Sequence, residues 1–249
     1  MPPPRPVHLA GLVLLLSLLA GAWSLHAGWI AVPDRYNPWA ALDPAEAPGL
    51  LTRMKLARAQ QDPARCIALL GEADLRFERT PDRATGEGCG LSNAVRVSGA
   101  RDLQLRPPVL LSCRVALSFA LWERHALEPA AEELLGTRIT AIDNLGGYAC
   151  RNVVTGRPPQ EGAPGRRSQH ATADALDVAV FVRADGPRAV QVRRDWVRNT
   201  IPASTPEAAF LREVHRGACG LFDGVLGPDY NAVHADHFHL EIGAWRACR

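Results

Sequence analysis

The start of the chain differs from the rest because its apolar side chains follow one another without a polar face. The run from Leu9 to Leu25 is almost wholly apolar, and Arg5 is the single charge before it. Extended to Val32, the run is long enough to cross a hydrocarbon core of about 30 Å, so we predict that residues 1–32 form a signal anchor. A cleaved signal peptide is the alternative, because Ala20 to Ala22 has small residues at the spacing of a cleavage site.

A spacer and two helices are predicted in the rest of the chain. Residues 33–49 are rich in Pro, Asp and aromatic side chains and lack a sustained period, so we predict a spacer leading to a domain over residues 50–249. Apolar residues recur at helical spacing from Cys113 to Leu135, and Gly136 is suited to end that helix. A second helix is predicted from Pro206 to Ala218.

Strand signals occupy the second half of the chain. A turn signal at residues 184–187 joins the largely apolar run Ala175 to Val182 to a partner at Ala189 to Val192. We also predict strands over Arg138 to Ile142 and Phe238 to Ile242, a tight turn at Gly146-Gly147 and a loop over Gly156 to Arg167. Because helices and hairpin-linked strands occur in separate runs, the pattern predicts an α+β fold, with a small antiparallel sheet and flanking helices.

The composition is that of a folded domain without a strong net charge. The 249 residues are 47% hydrophobic, which is ordinary for one sizeable core. The formal net charge is +2, from 28 Lys and Arg against 26 Asp and Glu, and it becomes +1 when Arg5 is set aside with the leader. Because this balance is far from strongly basic, we do not expect nucleic-acid binding.

All six cysteines follow the leader, which predicts three disulfides formed in an oxidising compartment. The shortest gap between two of them is 23 positions, which disfavours a zinc knuckle built from close cysteine pairs. We predict sequential pairs because each closes a local loop: Cys66–Cys89, Cys113–Cys150 and Cys219–Cys248.

Two short segments concentrate side chains that bind metal ions. One runs from Ser168 to Asp177, and the other, from His234 to His239, contains three histidines. Since alternate side chains of a strand share a face, His237 and His239 would point toward one site. An imidazole, a carboxylate and a second imidazole are three zinc ligands, and a catalytic zinc leaves its fourth position to water.

Asp177 is the informative member because it interrupts an apolar strand. A buried carboxylate without a partner is costly, so the predicted strand Ala175 to Val182 requires a partner for it. A metal ion is one solution. A salt bridge to one of the many arginines is the other, and both stay open at this point.

The motifs resemble known families. The pattern S-x-H-x-x-G-x-A-x-D with a distant H-x-H is similar to that of a metallopeptidase group. This group includes D-Ala-D-Ala carboxypeptidases and dipeptidases, the penicillin-insensitive murein endopeptidase and the hedgehog signalling domain. The resemblance is closer to the bacterial extensin-like C-terminal domain family, over roughly residues 50–249. It is carried by the run from Cys113 through Gly147 to Asn152, by SQHATADALDV from Ser168, by VLGPDYN from Val225 and by HADHFHLEI from His234.

The resemblance implies a set of zinc ligands and a neighbouring proton-handling group. It implies that His170, Asp177 and His239 bind Zn²⁺. His237 would lie beside the metal as a group that stabilises charge or handles a proton.

The resemblance leaves the general base open and adds an arginine. Asp236 has the spacing of the dipeptidase base, whereas His234 resembles an active-site histidine of the murein endopeptidase. Arg151 resembles the arginine that steadies the substrate or the developing oxyanion. This chain departs from the pattern at Ala173, where the family has glycine, which puts the shape of the cleft in question.

The implied function is a periplasmic zinc metallopeptidase. It would be single-pass in the inner membrane, or secreted to the periplasm if the leader is cleaved. It would hydrolyse peptide bonds of peptidoglycan stem peptides, as a D,D-endopeptidase or a carboxypeptidase. A non-catalytic, zinc-containing cell-wall binding module is the alternative, because the hedgehog domain keeps this metal site in a protein whose main role is recognition.

Overall fold

The computed structural model describes residues 6–29, 32–154, 165–197, 203–243 and 245–249. Its first helix, α1 (Pro6–His26), lies within the predicted leader. The large apolar side chains from Leu9 to Leu25 are mostly exposed and do not belong to the core of the domain. The predicted membrane-spanning helix was not found: in the described residues, no helix is both long and apolar enough to cross a membrane.

The elements after the leader begin with two short helices and five strands. These are α2 (Thr52–Gln61), α3 (Pro63–Glu72), β1 (Leu75–Thr80), β2 (Arg83–Gly86), β3 (Cys89–Leu91), β4 (Ala94–Ala100) and β5 (Leu103–Ser112). Next come α4 (Cys113–Trp122), a π-helical segment (Glu123–Leu127), α5 (Glu128–Leu135), β6 (Ile139–Gly146), β7 (Ala175–Arg183), β8 (Val190–Gln191) and α6 (Val192–Asp195). The last are α7 (Pro206–Ala218), β9 (Gly224–Leu226), β10 (Phe238–Glu241) and β11 (Ala247–Cys248).

The two predicted helices are confirmed, each with the capping that its ends require. The first is continuous through α4, the π-helical segment and α5. Ser112 caps its start by accepting from the Val115 amide, and Gly136 ends it in the left-handed conformation at φ 63°. The second is α7, and Thr205 caps its start by accepting a hydrogen bond from the Ala208 amide.

The sheet confirms the α+β class and corrects its size and pairing. In the described residues it has nine strands, in the order β1-β4-β5-β6-β7-β10-β9-β11, with β8 paired to β7. It is not purely antiparallel, since β5 pairs with β6 in parallel, as β9 does with β11. The long helix after β5 is the crossover that a parallel pair needs.

The predicted strands and turns of the second half are mostly present. Strand β8 returns antiparallel to β7, as the turn signal predicts, and β6 and β10 fall on the other two predicted strands. Gly146 ends β6 at φ 118°, and a Cβ at Gly147 would meet the Leu110 carbonyl oxygen at 2.3 Å. Most of the loop predicted over residues 156–167 lies outside the described residues.

The core lies between the sheet and the helices and fixes which face of β7 and β10 is buried. Leu176 and Val178 of β7 and Phe238 and Leu240 of β10 all belong to it and are fully buried. Burying such side chains stabilises the fold by roughly 1.5–3 kcal/mol each. Because strand side chains alternate, the residues between them face the opposite side of the sheet.

Three disulfides are present, and two of the predicted pairings are wrong. Cys219–Cys248 is confirmed, whereas the other four cysteines pair as Cys66–Cys113 and Cys89–Cys150. Local loop closure did not decide the pairing, because loop entropy rises only slowly with length. Packing of α3 against α4 brings the first pair together, with Cα atoms 6.1 Å apart.

Part of the predicted spacer contacts the domain. Leu42 is buried in the core, the Lys55 ammonium donates to the Asp34 carbonyl oxygen at 2.6 Å, and His125 Nε2 lies 2.9 Å from the Pro44 carbonyl oxygen. These contacts hold residues 34–44 against α2 and the π-helical segment.

Candidate metal centre

Two neighbouring strands place Asp177 and His239 side by side. The residues are Cα register partners in the antiparallel pair β7–β10. Both lie on the sheet face opposite the core, since their neighbours along each strand belong to the core. Asp177 Oδ1 lies 2.8 Å from His239 Nδ1.

His170 reaches the same place from a single 3-10 turn at Gln169–Thr172. The Ser168 hydroxyl caps this turn by accepting from the His170 amide. The turn ends at Ala173, which adopts the left-handed conformation at φ 57° and leads directly into β7. His170 Nε2 consequently lies 3.1 Å from Asp177 Oδ2.

The three predicted ligands form one buried cluster. His170, Asp177 and His239 each have a donor atom within 4.8 Å of the others, and all three are buried. His170 Nε2 and His239 Nδ1 are 3.2 Å apart. Two imidazole nitrogens and one carboxylate are a ligand set suited to catalytic zinc.

In His170 and His239, the partner of the ring nitrogen that points away from the cluster determines which nitrogen carries the proton. His170 Nδ1 contacts the Gly147 carbonyl oxygen at 3.1 Å, and His239 Nε2 contacts Glu241 Oε2 at 2.8 Å. Both partners only accept hydrogen bonds, so each of these nitrogens carries the proton of a neutral ring. His170 Nε2 and His239 Nδ1 are then lone-pair donors that face each other and Asp177. Only a cation, either a proton or a metal ion, satisfies such a cluster.

The pKa values follow from this convergence. Burial alone would lower the pKa of His239, but hydrogen bonds to Asp177 and Glu241 raise it to about 9. Burial would raise the pKa of Asp177, but its hydrogen bonds to His170 and His239 hold that pKa well below its ordinary value. In the metal-free protein a proton therefore occupies the cluster.

The arginine alternative for Asp177 is not what the described residues contain. The ion-pair contacts of Asp177 there are with His170, His239 and, at 3.7 Å, His237. The nearby Asp174 is the carboxylate that pairs with an arginine, since its Oδ2 lies 2.7 Å from an Arg114 nitrogen.

His237 lies at the edge of the cluster and is held by Asp236. Its Nδ1 is 2.9 Å from Asp236 Oδ1, and its Nε2 is 3.7 Å from Asp177 Oδ1. The Asp236 side chain is 48% exposed and contacts the outer side of the His237 ring. Asp236 is thus placed to orient His237.

His234 completes the group of histidines. Its ring centroid lies 5.2 Å from that of His237 and 5.7 Å from that of His239. Its Nδ1 is 2.8 Å from Asn231 Oδ1, and the Tyr230 ring packs against it. Burial, reinforced by the charges of His239 and His237, lowers the pKa of His234 to about 4. His234 is therefore uncharged at neutral pH.

A cleft of about 330 Å³ opens over the cluster and contains Arg151 in its wall. Strands β2 and β3 pair antiparallel as a hairpin separate from the main sheet. The segment around Arg151 is tied to this β2–β3 hairpin by Cys89–Cys150 and by Arg167, which donates to the Glu87 carbonyl oxygen. A larger, more open groove of about 920 Å³ lies beside the hairpin, but His170, Asp177 and His239 do not line it.

Glu241 and the Gly147 carbonyl group were missed in the sequence. Glu241 follows His239 by two positions in β10, so strand alternation puts it on the same face as His237 and His239. That spacing was the available signal. No comparable signal marks a main-chain carbonyl group, because its contact with His170 depends on the close approach at Gly147.

A family comparison supports the motifs found in the sequence. The model of the family described as extensin-like protein C-terminus matches residues 64–249. No curated protein and no solved structure matched the chain. Because the match covers most of the chain, including every element of the candidate metal centre, the chain belongs to the extensin-like protein C-terminus family.

Proposed function

We propose that this chain is a zinc-dependent peptidase that hydrolyses peptide bonds of peptidoglycan stem peptides. The observation that carries the proposal is the convergence of two imidazole lone pairs and a carboxylate in one buried cluster. His170, Asp177 and His239 would hold the ion. Zinc bound there would polarise a substrate carbonyl group and lower the pKa of a water molecule.

Two further histidines would divide the proton handling. His234 is uncharged at neutral pH and is held by Asn231, so it can accept a proton in the cleft. Asp236 holds His237 with its Nε2 toward the cluster, where a protonated ring would stabilise negative charge on the carbonyl oxygen. Asp236 thus acts through His237 in this proposal, and His234 is the base.

The cleft suits a peptide that carries carboxylates. Arg151, Arg166 and Arg167 line it, together with the apolar side chains of Val153 and Val154. Stem peptides combine short apolar side chains with free carboxylates, and a guanidinium group binds a carboxylate through paired hydrogen bonds. The resemblance of the motifs to D-Ala-D-Ala carboxypeptidases and the murein endopeptidase supports the same substrate class.

The proposed compartment is outside the cytoplasm, in the periplasm. All six cysteines are paired in three disulfides, which persist in an oxidising environment. The apolar leader is the expected export signal.

Digestion of purified peptidoglycan and soluble muropeptides, followed by mass spectrometry, tests the proposal. We expect the zinc-loaded protein to add one water across a stem-peptide amide. His234→Ala and His237→Ala should each slow this reaction by roughly 10²-fold or more while retaining zinc. Asp236→Asn should slow it less, and Asp185→Asn, which changes an exposed carboxylate on the β7–β8 turn, should leave the rate unchanged.

One outcome would reject the proposal that the protein is a peptidase. If zinc-loaded wild type binds the polymer but cleaves none of its peptide bonds, the protein is a cell-wall binding module.

A further inference from the structure

Glu241 is a buried carboxylate in β10 whose ion-pair partner in the described residues is a single imidazole. It is only 5% exposed, and its Oε2 lies 2.8 Å from His239 Nε2. Its other oxygen, Oε1, is buried and has no hydrogen-bond partner in the part of the chain that the structure describes. Burying a carboxylate is costly, and a buried ion pair of this kind is weak support for stability. The contact with His239 therefore calls for another explanation.

The neighbouring strand is shaped to admit this carboxylate. Gly224 of β9 is the register partner of Glu241. A Cβ at Gly224 would lie 2.5 Å from Glu241 Cγ and 2.9 Å from its Oε1. A residue with a Cβ at this position would displace the Glu241 side chain, so glycine is what allows the carboxylate to pack against β9 while it contacts His239.

The contact selects one tautomer of His239. A carboxylate accepts hydrogen bonds and does not donate them, so the proton of the neutral ring lies on Nε2. Nδ1 is then the lone-pair donor, and it is the atom that faces Asp177 at 2.8 Å and His170 Nε2 at 3.2 Å. In the other tautomer the proton would lie on Nδ1, between Asp177 and His170 Nε2. Nδ1 would then have no lone pair to offer a metal ion.

We infer that Glu241 is a positioning residue for the metal centre: it fixes His239 with Nδ1 toward the ion and increases the donor strength of that nitrogen. The inference rests on the proposed function only in requiring that the cluster binds zinc. Carboxylates that hold metal-binding imidazoles in this way affect metal affinity by about 10–100-fold. His170 has the weaker equivalent in the Gly147 carbonyl oxygen, which is neutral.

Zinc affinity, measured by competition with a chelator, tests the inference on the full chain. We expect Glu241→Ala and Glu241→Gln to bind zinc about 10–100-fold more weakly than wild type. Glu123→Gln is the matched control, because Glu123 is equally buried at 5% exposure and makes no contact with the three ligands. It should leave zinc affinity unchanged. If Glu241→Ala fails to fold, Glu241→Gln keeps the shape of the side chain and decides the question alone.

A second measurement separates positioning from packing. In zinc-loaded protein with ¹⁵N-labelled histidine, NMR should find His239 protonated at Nε2 and metal-bound at Nδ1. Metal on Nε2, or wild-type zinc affinity in both Glu241 variants, overturns the inference. Neither measurement uses substrate, so a protein that shows both effects but cleaves no muropeptide rejects only the peptidase proposal. A wild-type protein that binds no zinc rejects both.

Discussion

Asp177 and His239 are joined twice, once through the strand ladder of β7 and β10 and once through the 2.8 Å contact between Oδ1 and Nδ1. The backbone pairing thus places two of the three candidate ligands before any ion is bound. A ligand pair on paired strands is more rigid than one on loops. His170 is the more adjustable member, since it lies on a single 3-10 turn.

Replacing either strand ligand should abolish zinc binding. We expect about one zinc per chain in the wild-type protein and almost none in Asp177→Ala or His239→Ala, since a three-ligand site does not tolerate the loss of one. Elemental analysis after dialysis measures this. Asp236→Ala is the matched control, as it removes a nearby carboxylate that contacts His237 and should keep the zinc. Wild-type zinc in both ligand variants would falsify the assignment.

The metal-free protein should lose stability as the pH rises. The pKa of His239 is raised from 6.5 to about 9, chiefly because hydrogen bonds to Asp177 and Glu241 outweigh burial. A raised pKa in the folded state stabilises the protein fully below pH 6.5, and this contribution disappears as the pH rises through about 9. Denaturant unfolding in a chelator at several pH values should detect the decline. His239→Gln should lack the decline above pH 7, the value at which Glu123 titrates, and a wild-type profile without slope between pH 7 and 9 would contradict the raised pKa of His239.

The sequence predicted elements whose periodicity is local. The helix from Cys113 to Leu135 and the strands β7 and β10 each carry their signal within one segment, and each was placed within a few residues. The metal ligands depended on the resemblance to known motifs, since an H-x-H pair alone is a weak signal. His170 reaches Asp177 from a single 3-10 turn, and no periodic pattern of apolar residues predicts such a turn.

Long-range organisation was not predictable in the same way. Strands β1, β4, β5, β9 and β11 were missed, and with them the extent of the nine-stranded sheet in the described residues. Strands β9 and β11 have three and two residues, too few for an alternation signal, and β5 contains Pro107-Pro108, which argues against a strand. The pairing of Cys66 with Cys113 depends on how two helices pack, which cysteine spacing does not encode. Glu241 had a local signal, the alternation of β10, but its role depends on the partner ring.

Glu123→Gln should stabilise the protein at neutral and alkaline pH. Burial raises the pKa of Glu123 from 4.5 to about 7, and its Oε2 has no hydrogen-bond partner among the described residues. Because the folded pKa is raised, the contribution of Glu123 to stability is fully present below pH 4.5 and is lost as the pH rises through about 7. Above that pH the amide should gain on the order of 2 kcal/mol in unfolding free energy. Glu132→Gln, at an exposed position of α5, is the control, and equal stability gains in the two variants would refute this account.

Ala173 should tolerate glycine but not valine. It is fully buried at φ 57°, a conformation that costs a non-glycine residue about 1–2 kcal/mol. Ala173→Gly relieves that strain. It also removes a buried methyl group, worth about 0.8 kcal/mol, and gives the unfolded chain more conformational entropy, and both of these effects reduce stability. Stability should therefore stay within about 1 kcal/mol of wild type. Ala173→Val adds a β-branched side chain there, and we expect a loss of about 2 kcal/mol or more, with weaker zinc binding through displacement of His170. Denaturant unfolding and zinc titration of the two variants measure this. Equal stability and equal zinc affinity in the valine and glycine variants would contradict the prediction.

Removing the Cys89–Cys150 disulfide should reduce peptide cleavage more than zinc binding. This bond ties the β2–β3 hairpin to the segment that carries Arg151 into the cleft, whereas the zinc ligands lie on β7, β10 and the 3-10 turn. Its cysteines are 61 positions apart, and those of Cys66–Cys113 are 47 apart. Loop closure therefore assigns each bond about 4 kcal/mol of stabilisation.

Because the two loops have similar lengths, Cys66–Cys113 is the control for Cys89–Cys150. The double variants C89A/C150A and C66A/C113A should lose comparable unfolding free energy and retain zinc when both are assayed well below their melting temperatures. Only C89A/C150A should slow muropeptide cleavage, because Arg151 then lacks its covalent attachment to the hairpin. If C66A/C113A slows cleavage equally, the loss reflects general destabilisation and the disulfide has no role in placing Arg151.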